Sequence, residues 1–292
     1  MKFSLVSLSL LGGVVTAQLQ YTSTASAAVA AARATALTLS PTSSVQGTKF
    51  ERYVQIFLEN TDYSAAIANT NLAWLASQGI SLTNYYATTH PSQPNYVAAV
   101  GASLHGITDN AFRRLGSSIK TIVDLLEAKG VSWSIYQEDM PYSGFQADWK
   151  NPAGQTDYVR KHKQCKNLTM FYNDLANNKL PQWMFITPNM TNNAHDSSIS
   201  VAGSWSRNFL TPLLANPNFN INRTLVVLTF DEGSTTGTNR IYSVLLGSAV
   251  PANKVGTTNN TAFNHYSLTK TAELNWGLGD LGQNDVSANA FF

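Results

Sequence analysis

The chain has 292 residues, 43% of them hydrophobic and 11% aromatic, which is enough for a sizeable core. Only 12% are charged and the formal net charge is +2, with no basic stripe and no charge run, so the composition argues against a nucleic-acid binder and against a charged tail. The single cysteine, Cys165, excludes an intramolecular disulfide and a cysteine metal cluster.

In chain order, Lys2, the apolar run Phe3 to Val15 and the small-residue site Val15-Thr16-Ala17 predict a secretory signal over 1–17. That run is too short to span a membrane, no other segment is long and apolar enough, and the mature chain is expected outside the cell or in the cell wall. Residues 18–46 are rich in Ala, Ser and Thr without an apolar period and read as a flexible leader or a loosely packed arm. Residues 47–292 are then one catalytic-sized domain without an internal boundary. Four Asn-x-Ser/Thr sequons, at Asn167, Asn189, Asn222 and Asn259, are glycan candidates on an exported chain.

Tyr53 to Leu58 reads as a buried strand ending at Glu59-Asn60. Ser64 to Gln78 reads as a helix with Ile67, Leu72 and Leu75 toward the core. In Thr88-Thr89-His90-Pro91-Ser92-Gln93-Pro94-Asn95-Tyr96 a hydroxyl lies between two prolines, ahead of a helix expected from about Asn95 to Ser103. A helix N-terminus there would favour an oxyanion. Taken alone, the segment reads as a proline-capped helix start.

Further on come a helix over Ser118 to Lys129 and a strand over Val131 to Tyr136, ending at Gln137-Glu138-Asp139. Pro141 to Lys166 is a long polar excursion with the character of a substrate lid. A helix over Leu168 to Asn177 and a strand over Gln182 to Ile186 follow. A helix over Trp205 to Ala215 is expected to break at Pro212. The strand Thr224 to Phe230 ends at Asp231-Glu232, and a strand over Ile241 to Leu246 and a helix over Tyr266 to Leu274 complete the chain. The alternation predicts an α/β fold around a largely parallel sheet.

In such a sheet the strand ends Glu59-Asn60, Glu138-Asp139, Asn189 with His195-Asp196, and Asp231-Glu232 fall on one edge. Carboxylates gathered there repel one another unless a cation lies between them, and an oxygen-rich set with an occasional imidazole suits a hard or borderline divalent metal. Together these strand ends move Ser92 from helix cap to candidate nucleophile.

The runs Phe57-Leu58-Glu59-Asn60-Thr61-Asp62-Tyr63, Thr89 to Tyr96, Thr187-Pro188-Asn189-Met190 through His195-Asp196, Thr229-Phe230-Asp231-Glu232 and His265-Tyr266-Ser267 resemble the phosphoesterase family of secreted fungal acid phosphatases and bacterial phospholipases C. The resemblance runs from about residue 50 to the end and lies nearer the fungal branch. It implies the three-layer α/β/α sandwich of the alkaline phosphatase-like superfamily. It also implies a phosphomonoesterase acting on small phosphorylated substrates, with a phospholipase C-type phosphodiesterase or a non-catalytic binding protein as alternatives. Residue by residue, it implies Ser92 as nucleophile and Glu59, Asn60, Asp231 and Glu232 as ligands of one divalent metal ion. Asn110, His90 and Asp196 are then substrate contacts, and His195 and His265 catalytic groups that hold phosphate charge or carry a proton. One departure stands out: the run before His195 is Asn192-Asn193-Ala194, where Asn-Asp-Gly is expected, so a carboxylate is missing from the half of the site that would hold a second metal.

Overall fold

The computed structural model describes residues 34, 36–111, 115–116, 118–144, 149–150, 156–157, 165–235 and 237–292. The expected signal segment and most of the leader, Phe145 and His162 lie outside these residues, as does most of the Pro141 to Lys166 excursion. Of that excursion the structure describes Pro141–Gly144 and an antiparallel pair, β4 (Trp149–Lys150) with β5 (Thr156–Asp157).

The sheet is built around β1 (Arg52–Leu58), whose seven residues are all buried. A strand covered on both faces has no solvent side, so it reads as a near-continuous apolar run. β1 pairs in parallel with β7 (Trp183–Thr187) on one side and β8 (Thr224–Phe230) on the other. With β2 (Ile80–Leu82), β3 (Trp133–Gln137), β6 (Cys165–Asn167), β9 (Ser243–Leu246) and β10 (Thr257–Asn259), the eight strands lie in the order β10-β2-β9-β8-β1-β7-β3-β6. β9 runs antiparallel to both of its neighbours and the other pairings are parallel.

Helices cover both faces. On one, α2 (Thr70–Ser77) packs against α6 (Ile199–Leu214), and α5 (Leu168–Ala176) joins them through the Phe171–Phe209 ring contact at 5.6 Å. On the other, α3 (Ser92–Gly101), α4 (Ile122–Lys129) and α7 (Tyr266–Trp276) pack together over Tyr53 and Phe57. The result is the three-layer α/β/α sandwich with a mostly parallel sheet. No helix among the described residues is long and apolar enough to cross a membrane.

Several boundaries differ from the sequence expectation for physical reasons. The helix expected over Ser64 to Gln78 is two, α1 (Tyr63–Ala68) and α2, because Asn69 leaves the helical region and its side chain caps α2 by accepting from the N–H groups of Asn71 and Leu72. That break leaves Ile67 46% exposed rather than in the core, while Leu72 and Leu75 are buried. α4 starts at Ile122 instead of Ser118, where the Asp124 carboxylate accepts from Thr121 N–H at 2.7 Å. Pro212 does not break α6: it lies in the last turn, where the missing N–H removes only one ladder bond.

The leader is tied down over its last residues. Thr38 bonds Ser143, while Ser43 bonds both Ser132 and Gln182. Ser40 Oγ donates to Asp174 at 2.6 Å, where Lys166 and Tyr136 also converge at 2.7 Å each. Lys166 and Asp174 are fully buried, and this ring of partners is what makes a buried ion pair tolerable. Of the sequons, Asn222 is exposed. Asn167 donates to the Met140 carbonyl and caps α5, and Asn189 donates to Asp139, so both amides are engaged in the fold. Asn259 is half-buried and accepts from Thr261 N–H.

Candidate active site

Register brings together the two pairs expected to be ligands. Leu58 of β1 lies opposite Phe230 of β8, so the next residues, Glu59-Asn60 and Asp231-Glu232, leave adjacent parallel strands side by side. Backbone bonds fix the junction: Asp231 N–H donates to the Leu58 carbonyl, Thr61 N–H to that of Glu232, and Glu59 N–H to that of Asn193. Asn60 adopts φ 30°, a left-handed conformation that asparagine tolerates better than most residues. Its N–H and that of Glu232 both donate to Asp231 Oδ1, at 3.0 and 2.7 Å.

Ser92 is the first residue of α3, directly after Pro91. Its Oγ lies 2.7 Å from Glu232 Oε1 and 3.0 Å from Asn60 Oδ1, so one hydroxyl proton is shared between two acceptors. The turn that presents it is knitted by Asn95, which is fully buried. Asn95 accepts from the N–H groups of Thr88 and Thr89 and donates to the carbonyls of Thr89 and Pro91. His90 Nδ1 stands 2.6 Å from Glu232 Oε2, and His90 Nε2 is buried without a partner among the described residues.

Three carboxylates meet here under cover: Asp231 is 0%, Glu232 2% and Glu59 6% exposed. Burial, then the Glu59 carboxylate, pushes the Asp231 carboxyl well above the usual carboxylate range. Burial also raises that of Glu232, although hydrogen bonds from Ser92 and His90 pull the other way. Glu59 Oε2 and Asp231 Oδ2 are buried without a hydrogen-bond partner among the described residues. Buried, mutually repelling oxygens with open lone pairs are the donor chemistry a hard divalent cation satisfies. On that chemistry the residues fit a metal ion. Their companion oxygens, Glu59 Oε1, Asp231 Oδ1 and Glu232 Oε1, face protein donors, and among the described residues no group of three or more His, Cys, Asp or Glu side chains is placed to hold a metal ion.

The remaining expected residues divide. Asn110 is exposed, and its Oδ1 accepts from Gln93 N–H at 2.9 Å. Pro91 and Pro94 carry no N–H and Asn110 caps that of Gln93, so the start of α3 has fewer free donors than an ordinary helix N-terminus. His265 is fully buried. Its Nε2 lies 2.6 Å from the Asp231 carbonyl, which can only accept, so Nε2 carries the proton and Nδ1 accepts from Tyr85. Burial lowers its pKa to about 4, against the hydrogen bond to Asp231. His265 is therefore placed as a neutral prop behind the Asp231 backbone, not as the proton carrier expected from the sequence. His195 and Asp196 are exposed and pair with each other at 2.7 Å. Their loop meets the end of β1 through the Asn193 carbonyl, which accepts from Glu59 N–H, and Glu138 steadies it by accepting from Asn189 N–H and Asn192 Nδ2. Ala194, in the position expected to be glycine, has φ 89°.

Asn95 and Tyr96 stand at the end of the Thr89 to Tyr96 run, and the residues alone assign them no role. Nothing in one sequence distinguishes a buried amide that closes a turn from an ordinary helix residue, so only the three-dimensional contacts assign them.

A model described as the Phosphoesterase family matches residues 42–279. The phosphate-repressible acid phosphatase of Penicillium chrysogenum is 48% identical over 280 residues, covering 90% of this chain and 68% of that protein. An acid phosphatase of Aspergillus fumigatus is 47% identical over 281 residues, covering 90% and 63%. The chain thus spans about two thirds of the length of these fungal relatives. Among solved structures, a protein in the alkaline phosphatase superfamily from Vibrio parahaemolyticus superimposes with a TM-score of 0.56 at 14% identity, over 91% of this chain and 78% of that one, which shows a shared fold. With the family model spanning nearly the whole described domain and close fungal relatives beside it, the chain belongs to the Phosphoesterase family.

Proposed function

We propose that this protein is an exported acid phosphatase that hydrolyses phosphate monoesters through Ser92. The observation that carries the reading is the Ser92 hydroxyl, held at the start of α3 within hydrogen-bond distance of Glu232 and Asn60. One divalent cation, held by Glu59, Asn60, Asp231 and Glu232, would supply positive charge that lowers the serine pKa and offsets phosphate charge. Glu232 Oε1 is placed to take the hydroxyl proton. The Ser92 oxygen attacks phosphorus in line as the bond to the leaving oxygen breaks, giving a phosphoserine that water then hydrolyses. The Asn110 amide nitrogen and, in the imidazolium form with Nδ1–H directed at Glu232, His90 Nε2 are side-chain donors beside the turn that can hold phosphate oxygens. With His265 buried and neutral, the solvent-open His195, paired with Asp196, is the imidazole suited to returning a proton to the leaving group. The His195–Asp196 pairing and the neutral Asn193 favour one metal over two.

A lipid-directed phosphodiesterase would need an apolar approach surface. Of the aromatics that the sequence offers for it, Trp133, Tyr136, Tyr142, Phe145 and Trp149, the first two are 3% and 0% exposed and belong to the core, Tyr142 is half-buried, and Phe145 and the Trp149 side chain lie outside what the structure describes. The reading is tested by assaying a chromogenic phosphomonoester and the matching diester, with and without a chelator. Hydrolysis of the monoester that stops on chelation and returns with a divalent metal supports it. Preference for the diester, or full activity after chelation, overturns it.

A further inference from the structure

We propose that Tyr96 is a positioning residue of the same site, orienting Glu59 as a ligand; this rests on the single-cation reading above. Tyr96 stands four residues after Ser92 on α3, so both side chains rise from one face of the helix. Ser92 reaches Glu232, from β8, while the Tyr96 hydroxyl donates to Glu59 Oε1 at 2.5 Å, from β1. One helix thereby gauges the spacing of both carboxylates, and Asp231 lies between their strand ends.

The phenol is a firm donor because its ring cannot wander. It packs against Phe57 at 5.2 Å and Phe185 at 6.2 Å between ring centroids, and Phe57 and Phe185 pack on each other at 4.9 Å. These rings stand on β1 and β7, one residue-pair before the strand ends that carry the site. With Oε1 committed to Tyr96, Glu59 Oε2 is the oxygen left buried without a hydrogen-bond partner among the described residues. A carboxylate with one oxygen anchored and the other free presents one lone-pair direction instead of rotating between several. A hydrogen-bonded ligand of this kind gains affinity because less side-chain freedom is lost on binding.

The test compares wild type with Tyr96→Phe, which removes one oxygen and keeps the ring packing. Metal-depleted protein is titrated with Mn²⁺ alone, followed by electron paramagnetic resonance, and turnover of a phosphomonoester is measured over a range of Mn²⁺. The variant should still melt cooperatively when metal-free, at a lower temperature because Glu59 loses a buried hydrogen bond, bind Mn²⁺ about 10- to 100-fold more weakly, and regain most of its kcat at saturating Mn²⁺. In a Glu59→Gln background, where position 59 no longer carries a carboxylate to be aimed, Tyr96→Phe should weaken Mn²⁺ binding by less than about twofold more. Wild-type Mn²⁺ affinity in Tyr96→Phe, or equal losses with and without the Glu59 carboxylate, overturns the proposal. Wild type that binds no Mn²⁺ and stays active after chelation overturns the cation reading beneath it instead.

Discussion

Asn95 uses every hydrogen-bonding position of its amide to close the turn that carries Ser92: two backbone N–H groups on its oxygen, two carbonyls on its nitrogen. Asn95→Asp keeps the shape but turns the donating end into an acceptor facing the carbonyls of Thr89 and Pro91. The substitution should cost about 1–3 kcal/mol, the penalty for unpaired buried polar groups. It should also lower kcat more than it raises KM, because on the proposed mechanism the turn positions the Ser92 hydroxyl and does not grip substrate. Denaturant midpoint and steady-state kinetics check this; an unchanged midpoint with unchanged kcat contradicts it. Ala194 is the complementary case. Its φ of 89° lies where glycine is at ease and a Cβ is not, which gives a physical reason for expecting glycine there.

At the scale of elements, much of the sandwich could be read from the residues. β8 occupies Thr224–Phe230 as expected, since seven buried apolar or β-branched residues in a row allow little else. The carboxylates of the site followed from it, because strand ends in a parallel sheet share one edge. The chain hid what depends on partners. Asn69 looks like any polar helix residue until its side chain caps α2 and splits the expected helix. Ser40 sits in a stretch with no apolar period, yet it is held by the buried Lys166–Asp174 pair, which periodicity cannot register. His265 had the polar setting of a catalytic imidazole in sequence, and only its burial against Tyr85 and the Asp231 carbonyl shows otherwise.

For the molecule as a whole, the C-terminal segment closes the layer that holds α3. Asn284 donates twice to the Ala102 carbonyl at the end of α3, and Phe291 packs on Tyr85 and Phe263. Within this closure Glu273 of α7, 2% exposed, faces Asp285, 0% exposed, with Lys270 4.0 Å away. Burial, then Asp285, pushes the Glu273 carboxyl up from 4.5 to about 8. The group is thus protonated in the folded protein at pH values where the unfolded chain has ionised. Its stabilising contribution is complete below the unfolded pKa and is lost as pH rises through about 8. Glu273→Gln should therefore flatten the fall in melting temperature between about pH 5 and about pH 9. A variant that falls as steeply as wild type contradicts that assignment.

The central claim is that Ser92 takes the phosphoryl group. Acid-quenching the enzyme during turnover of a monoester, followed by peptide mapping, tests it most directly. Phosphate should be found on Ser92 in wild type and on no residue in Ser92→Ala, whose turnover should drop by at least about a thousandfold with the fold retained. Near-wild-type turnover by Ser92→Ala, or phosphate trapped on another side chain, would contradict it.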